Sequence, residues 1–347
     1  MVISMEKRRV RIADIAEELG VSTATVSNVI HGKTKKISDE TVKRIQQLLE
    51  ERQYIPSMAG ILLAQNDSRI IGVIINDHEK YEEHTLEDGF ISASVNALAK
   101  EVEQAGYFLM LKLAKDCEEI PRFASMWNMV GVIVIGFCGQ DYQKIRARMH
   151  IPMVIYDGFL SEQGEFVNIE ADHYAGGVEA GKYLKEKGHQ RVLCISDNDT
   201  CMDMLRFQGL QSVIPASKLM IIPHETDKRY PFYEEHLKEV LSYSAVFAVS
   251  DYYAIDMLQF LQVHGIQIPE EISIIGFDDI REAAHTNPPL TTIRQNHQVR
   301  AQTAIAMLQR QKEVSGFHEM IKLPVDLVER CTVRTVDSLH KNENISL

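Results

Sequence analysis

The sequence predicts an N-terminal all-α helix-turn-helix headpiece followed by a two-lobed α/β domain, two parallel sheets flanked by helices. Three observations predict it. Between residues 11 and 54 apolar residues recur at helical spacing in three short blocks, with a Gly20-Val21 break after the first. From residue 69 onward short, continuously apolar runs alternate with helical patterns, as βαβ units do. That alternation runs once and then repeats, which predicts two lobes with a cleft between them. A chain of 347 residues has room for two or three such units.

In the headpiece, Ile12, Ile15, Ala16 and Leu19 mark the first helix. Ser22 is a good N-cap for the second, which buries Val26, Val29 and Ile30. Ser38 opens the third; Asp39 and Glu40 suit its dipole, and Val42, Ile45, Leu48 and Leu49 face inward. The second helix of such a motif can enter a DNA major groove. Its outward residues, Thr23, Ala24, Ser27, Asn28 and His31, are short or polar, as contact with base edges requires. Asn28 can bond adenine, and the methyls of Thr23 and Ala24 can meet a thymine methyl. A merely structural bundle would give this helix no reason to keep that face small.

Charge follows the same division. The chain carries a net −12, but residues 1–66 hold 10 Lys+Arg against 8 Asp+Glu, and the rest hold 27 against 41. Lys7, Arg8, Arg9, Arg11, Lys33, Lys35 and Lys36 flank the second helix and suit phosphate contacts. The acidic remainder confines DNA contact to the headpiece. Five scattered cysteines form neither disulfide nor metal spacing and fit a reducing cytoplasm. No membrane span or signal peptide is expected.

Pro56 stops the third helix, and Ser57 can cap a short segment at 58–64. The body then reads as strands at 70–76, 107–113, 131–137 and 152–157, with a helix at 91–104. The second series has a helix at 174–187, strands at 191–196, 245–251 and 272–279, and a helix at 252–264. Residues 288–292 read as an extended crossover, 299–311 as a helix and 323–330 as a closing strand. Ligands of open sheets bind beyond the carboxyl ends of strands. Asp77, Asp157, Asp251 and Asp278 stand there. A single Asp in such a place is usually a loop cap; four point to a cleft. The acidic stretch NDHEKYEEHTLED (76–88) rims that cleft or borders a partner, and its histidines lack metal-ligand spacing. No GxSxG, GxxxxGK[ST] or HExxH motif supports an enzyme. No cofactor is expected.

GVSTATVSNVIHG followed by SDETVKRIQQLLEERQYIPSMAG resembles the DNA-binding headpiece of the lactose-repressor (LacI) family of bacterial transcription regulators. The resemblance implies that Thr23, Ala24 and Asn28 read bases and that Ser22, Thr25 and Ser27 contact the backbone. His31 stands where Asn is usual. Arg11 replaces a capping Thr, so the first helix loses a cap while a phosphate contact is gained. Residues 55–68 become a hinge whose Leu63 wedges into the minor groove. Gly60 costs that hinge ~1 kcal/mol of helix propensity.

AGGVEAGKYLKEKGHQRV, AVFAVSDYYAIDML, GIQIPEEISIIGFDDI and PPLTTIRQ resemble the family's effector-binding domain, related in fold to periplasmic sugar-binding proteins. The resemblance assigns effector contacts to Arg206, Asp251 and Asp278, with Asp77 and Asp157 from the first lobe. Arg and Asp suit vicinal hydroxyls; Tyr252, with Tyr156, Tyr230 and Phe232, supplies an apolar wall. The implied divisions are 8–54 for the headpiece, 55–68 for the hinge and 69–336 for effector binding and dimerisation. The first lobe takes about 69–165 and 295–322, the second about 166–292 and 323–336. The tail, 337–347, lacks leucine heptads, so a homodimer is expected rather than a tetramer. The implied function is a ligand-responsive repressor on a pseudo-palindromic operator, answering to a sugar or sugar phosphate. The alternatives are a purine corepressor and, remotely, a solute-binding protein.

Overall fold

The computed structural model of the chain describes residues 10–55, 68–137, 139–158 and 166–336. The chain divides into two compact units, Met1–Ser68 and Arg69–Leu347. Residues 56–67 of the expected hinge, including Leu63, and the tail 337–347 lie outside the described residues.

The first unit holds α1 (Ile12–Leu19), α2 (Thr23–Ile30) and α3 (Asp39–Glu51). Ile15, Ala16, Val26, Val29, Ile45 and Leu48 form its core, so each helix buries the stripe that its spacing predicts. Gly20 closes α1 in the left-handed region (φ 66°), where a side chain is disfavoured. Arg11 offers α1 no side-chain cap, as expected, but Asp14 reaches back to accept from the Arg11 amide at 2.8 Å. The lost cap is thus partly replaced. Arg52 then ties the end of α3 to Glu18 with two bonds of 2.8 and 2.9 Å.

The second unit contains two six-stranded sheets. The first takes β1 (Ile70–Asn76), β2 (Phe108–Ala114), β3 (Gly131–Ile135), β4 (Met153–Tyr156), β5 (Val167–Ala171) and β11 (Glu319–Leu323), in the order β11-β5-β4-β3-β1-β2. All its neighbours pair in parallel. Helices α4 (Gly89–Gln104), α5 (Glu119–Met126), α6 (Gly139–Arg148) and α11 (His297–Glu313) belong to this lobe. Apolar cores lie on both faces of the sheet, which is why β1, β3 and β4 are apolar almost throughout.

The second sheet runs β12-β10-β9-β8-β6-β7. Its strands are β6 (Val192–Ser196), β7 (Lys218–Ile221), β8 (Ala245–Ala248), β9 (Ser273–Asp278), β10 (Thr291–Gln295) and β12 (Val325–Val328). Only β12 is antiparallel to its neighbour. Its helices are α7 (His173–Glu186), α8 (Cys201–Val213), α9 (Thr226–Val240) and α10 (Asp251–Val263).

Three expectations are corrected here. The second lobe does not begin at 166, because Val167 pairs with Val154 of β4 and the chain leaves the first sheet only after Ala171. Residues 288–292 are not all crossover, since Thr291 opens β10 beside Ile275. The expected single closing strand at 323–330 is two strands in two sheets, parted by Pro324, whose missing N–H breaks a ladder. Among the described residues no helix is long and apolar enough to cross a membrane.

Candidate functional site

The headpiece presents α2 with its polar face outward. Ser22 caps it by accepting from the Thr25 amide at 3.1 Å, and the two hydroxyls pair at 2.8 Å. Val26 and Val29 are drawn into the core, leaving Thr23, Ala24 and Asn28 exposed and Thr25, Ser27 and His31 half-exposed. Arg11 is exposed at the start of α1. The predicted reading residues thus share one surface of one short helix.

In the body the crossovers between lobes carry a buried polar chain. Asp157 follows β4, with its backbone in the left-handed region (φ 49°). Its Oδ1 accepts from the Ala171 amide and from His173 Nε2, both at 3.1 Å, and from Arg300 Nη2. His173 is the first residue of α7, where the chain enters the second lobe. Its Nδ1 accepts from Arg206 Nε at 3.2 Å and Nη2 at 3.1 Å. Two guanidinium donors on Nδ1 require a neutral ring, with its proton on Nε2 and donated to Asp157. Burial and the adjacent Arg206 lower the His173 pKa, in agreement. Burial works against ionised Asp157, but Arg300 and His173 more than offset it and hold the carboxyl far below the usual range.

Arg206 continues the chain into the second lobe. Its guanidinium carbon stands 3.8 Å from the centre of the Phe277 ring, it donates to the Val249 carbonyl, and it stands 3.7 Å from Asp203 and 4.0 Å from Asp278. Gln295, at the second crossover, donates to Asp278 at 2.7 Å. Burial pushes the Asp278 pKa up to about 7, against the pull of Arg206. The backbone that carries Arg206 is set by helix packing. A Cβ on Gly177 would stand 2.0 Å from the Arg206 carbonyl oxygen, and one on Gly209 would stand 2.2 Å from that of Tyr174. Gly177 and Gly209, by letting the two helices approach this closely, therefore fix the position of a charged side chain.

The predicted cleft residues divide. Arg206, Asp157 and Asp278 are brought together in this chain. Asp251 is engaged within its own lobe: it is wholly buried, Oδ1 accepts from Thr292 at 2.5 Å, and Oδ2 accepts from the Ile280 amide at 2.9 Å. It braces α10 against β9 and β10, and Gly276 leaves room for it, since a Cβ there would meet Oδ1 at 2.2 Å. Asp77 is likewise spent on the base of the loop after β1, accepting from Thr85 at 2.6 Å. Tyr252 is exposed, and its hydroxyl accepts from Arg229 at 2.9 Å.

Sequence reasoning missed His173, Arg300, Gln295 and Lys80. Lys80 stands on the loop after β1. Burial opposes its charge, but Tyr81 and the carboxylates of Asp197, Asp203 and Asp88 hold its ammonium well above the usual lysine range. Four further polar atoms near the crossovers are buried with no hydrogen-bond partner in the protein: Tyr156 Oη, Gln295 Oε1, His297 Nε2 and Arg300 Nη1. Arg300 lies 5.1 Å from the Tyr156 ring and 5.7 Å from that of Phe90, and Phe90 packs on His297 at 5.3 Å. Among the described residues no group of three or more His, Cys, Asp or Glu is arranged to hold a metal.

Two family models match. Residues 11–57 match the bacterial regulatory proteins of the lacI family, and residues 182–333 match the periplasmic binding protein-like domain. The HTH-type transcriptional repressor PurR of Vibrio atlanticus (strain LGP32) is 29% identical over 346 residues, covering 94% of this chain and 99% of the relative. A crystal structure of the lac repressor dimer bound to operator and the anti-inducer ONPF superimposes with a TM-score of 0.81 at 22% identity, covering 94% of this chain and 100% of that one. The complex of the transcriptional regulator CelR with cellobiose gives 0.68 at 20% identity, covering 93% and 100%. With the capped reading helix and the two-lobed body both in place, the chain belongs to the lacI family of bacterial transcription regulators.

Proposed function

We propose that this chain is a ligand-responsive repressor that binds a pseudo-palindromic operator as a homodimer and takes its effector in the cleft between the lobes. The observation that carries the DNA half is α2, capped by Ser22 and exposing only small and polar residues. In this reading Thr23, Ala24 and Asn28 meet base edges, and Ser22, Thr25, Ser27, His31 and Arg11 hold the backbone. Leu63, outside the described residues, remains the proposed minor-groove wedge.

The effector half rests on the unpartnered polar atoms at the crossovers. A guanidinium N–H, a phenol, a neutral imidazole nitrogen and an amide oxygen offer mixed donors and acceptors, which suits a polyhydroxylated ligand. The charge around them favours an unphosphorylated sugar over a sugar phosphate. Arg300 is already neutralised by Asp157 and Arg206 faces Asp203, while Asp88 and Asp197 add further negative charge near Lys80. The CelR complex with cellobiose agrees with this class. A purine corepressor is the second reading, favoured by the relatives named PurR.

The test has two arms. Selection of binding sites from random duplexes with the full chain is expected to return two related half-sites, and Asn28→Ala is expected to relax one base position. A thermal-shift screen against sugars, sugar phosphates and purines is expected to give a hit among unphosphorylated sugars that Arg206→Ala abolishes. A hit confined to purines would replace the sugar reading. Selection of no sequence would remove the repressor reading.

A further inference from the structure

We propose that the loop 77–88 is a built-in strap that holds the two lobes together at the mouth of the cleft, with Glu82 as its catch. The inference rests on the two-lobed body alone and needs neither operator nor effector.

The loop leaves the first sheet after Asn76 and re-enters the first lobe at α4. Its ends are drawn together by Thr85 donating to Asp77 at 2.6 Å. Within it the Tyr81 amide donates to the His78 carbonyl at 3.0 Å, and the His84 amide to that of Tyr81 at 2.7 Å. Glu82 and Glu83 lie in the left-handed region, with φ of 48° and 68°. These tight turns carry Glu82 out of its own lobe and onto the N-terminus of α9 in the other.

There it makes two bonds. Oε1 accepts from the Thr226 amide at 3.0 Å, and Oε2 accepts from the Thr226 hydroxyl at 3.1 Å. Thr226 is the first residue of α9, where an amide has no partner within the helix. The residue that should cap it, Glu225, makes no side-chain cap bond, and its carboxylate is turned to Lys228 at 2.5 Å. The missing cap therefore comes from the opposite lobe, at a helix end whose dipole favours a carboxylate.

The receiving side is rigid. Arg229 donates to the Thr226 hydroxyl at 3.2 Å and to Tyr252 at 2.9 Å, and its Nε stands 2.8 Å from Asp256. Arg229 is wholly buried. The closed arrangement is thus supported by the chain's own side chains.

The two ends of the catch lie in different lobes, so each can be altered while the other is read. The experiment is amide hydrogen exchange on the full chain, wild type against Glu82→Ala, Glu82→Gln and Thr226→Val, without added ligand. Glu82→Ala in the first lobe is expected to speed exchange over 226–230 in the second by about tenfold, the loss of one charge-assisted bond. Thr226→Val in the second lobe keeps the amide bond and loses only the hydroxyl bond, so it is expected to speed exchange over 79–84 in the first by less than Glu82→Ala does. Glu82→Gln, which keeps an acceptor for the Thr226 amide, is expected to stay close to wild type. Circular dichroism confirms that the variants fold, and Glu82 and Thr226 are both exposed. Unchanged exchange over 226–230 in Glu82→Ala would overturn the proposal.

Discussion

In the proposed reading, Asn28 is the residue on which base recognition by this headpiece turns. It is exposed on α2 between Val26 and Val29, which the core takes. Asn28→Ala is expected to cost about 1–3 kcal/mol at one base position while leaving the headpiece folded, as equilibrium binding to duplexes varied at that position would report. His173 is the corresponding residue in the body. Its Nδ1 faces Arg206 and its Nε2 faces Asp157. His173→Ala leaves both partners buried and short of a bond, with an expected loss of about 1–3 kcal/mol of stability; urea unfolding checks it. Nitrogen NMR of the wild-type ring is expected to show a neutral tautomer protonated at Nε2.

The difference in legibility between these two residues has a physical cause. The exposure of Asn28 could be read because the helical period that buries Val26 and Val29 leaves it outside the core stripe. His173 could not, because its role needs β4, α7, α8 and α11 in place at once. The inward turn of Asp251 was not legible for a related reason. Its position after a strand resembles that of Asp278, and only the missing Cβ of Gly276 lets its carboxylate turn inward.

At the scale of elements, the α7–α8 pair sets where Arg206 stands. Gly177→Ala would press a methyl against the Arg206 backbone. The expected cost is about 1–3 kcal/mol or more, as for other overpacked sites. The variant should lose cooperativity of unfolding in the body and leave the headpiece unaffected; calorimetry separates the two. Most strands were legible because both faces are buried and the runs are apolar, as in β1, β3 and β9. β5 was not legible. Its sequence, VNIEA, carries Asn168 and Glu170, and Asn168 is tolerated in the core because it accepts from the Gly158 amide and donates to the Gly158 carbonyl, both at 2.9 Å. Which lobe β5 joins depends on its pairing partner, which local pattern does not encode. The stretch 76–88 was read as rimming the cleft or bordering a partner, but Glu82 reaching across to Thr226 depends on two left-handed backbone positions.

At the scale of the whole molecule, the buried charges make stability depend on pH in opposing directions. Asp278 has a folded pKa of about 7 against an ordinary 3.8. The folded state keeps its proton longer, so this contribution is full below about pH 4 and is lost as the pH rises towards 7. Asp157 acts with the other sign: its depressed pKa stabilises the fold above the ordinary carboxylate range, and that contribution is lost as the pH falls. Asp278→Asn is therefore expected to gain stability relative to wild type between pH 5 and pH 8, measured by urea unfolding at both. A difference that is the same at the two pH values would contradict the assignment of a buried, proton-holding Asp278.

The headpiece and the cleft are parts of one regulator only if they communicate. The measurement that tests this most directly is the affinity of the full chain for a selected duplex, by fluorescence anisotropy, with and without saturating compounds from the panel of sugars, sugar phosphates and purines. Coupling of about 1–3 kcal/mol predicts a change of roughly 5–150-fold with at least one unphosphorylated sugar, and its loss in Arg206→Ala. An affinity unmoved by every compound in the panel would contradict the claim that the cleft controls DNA binding.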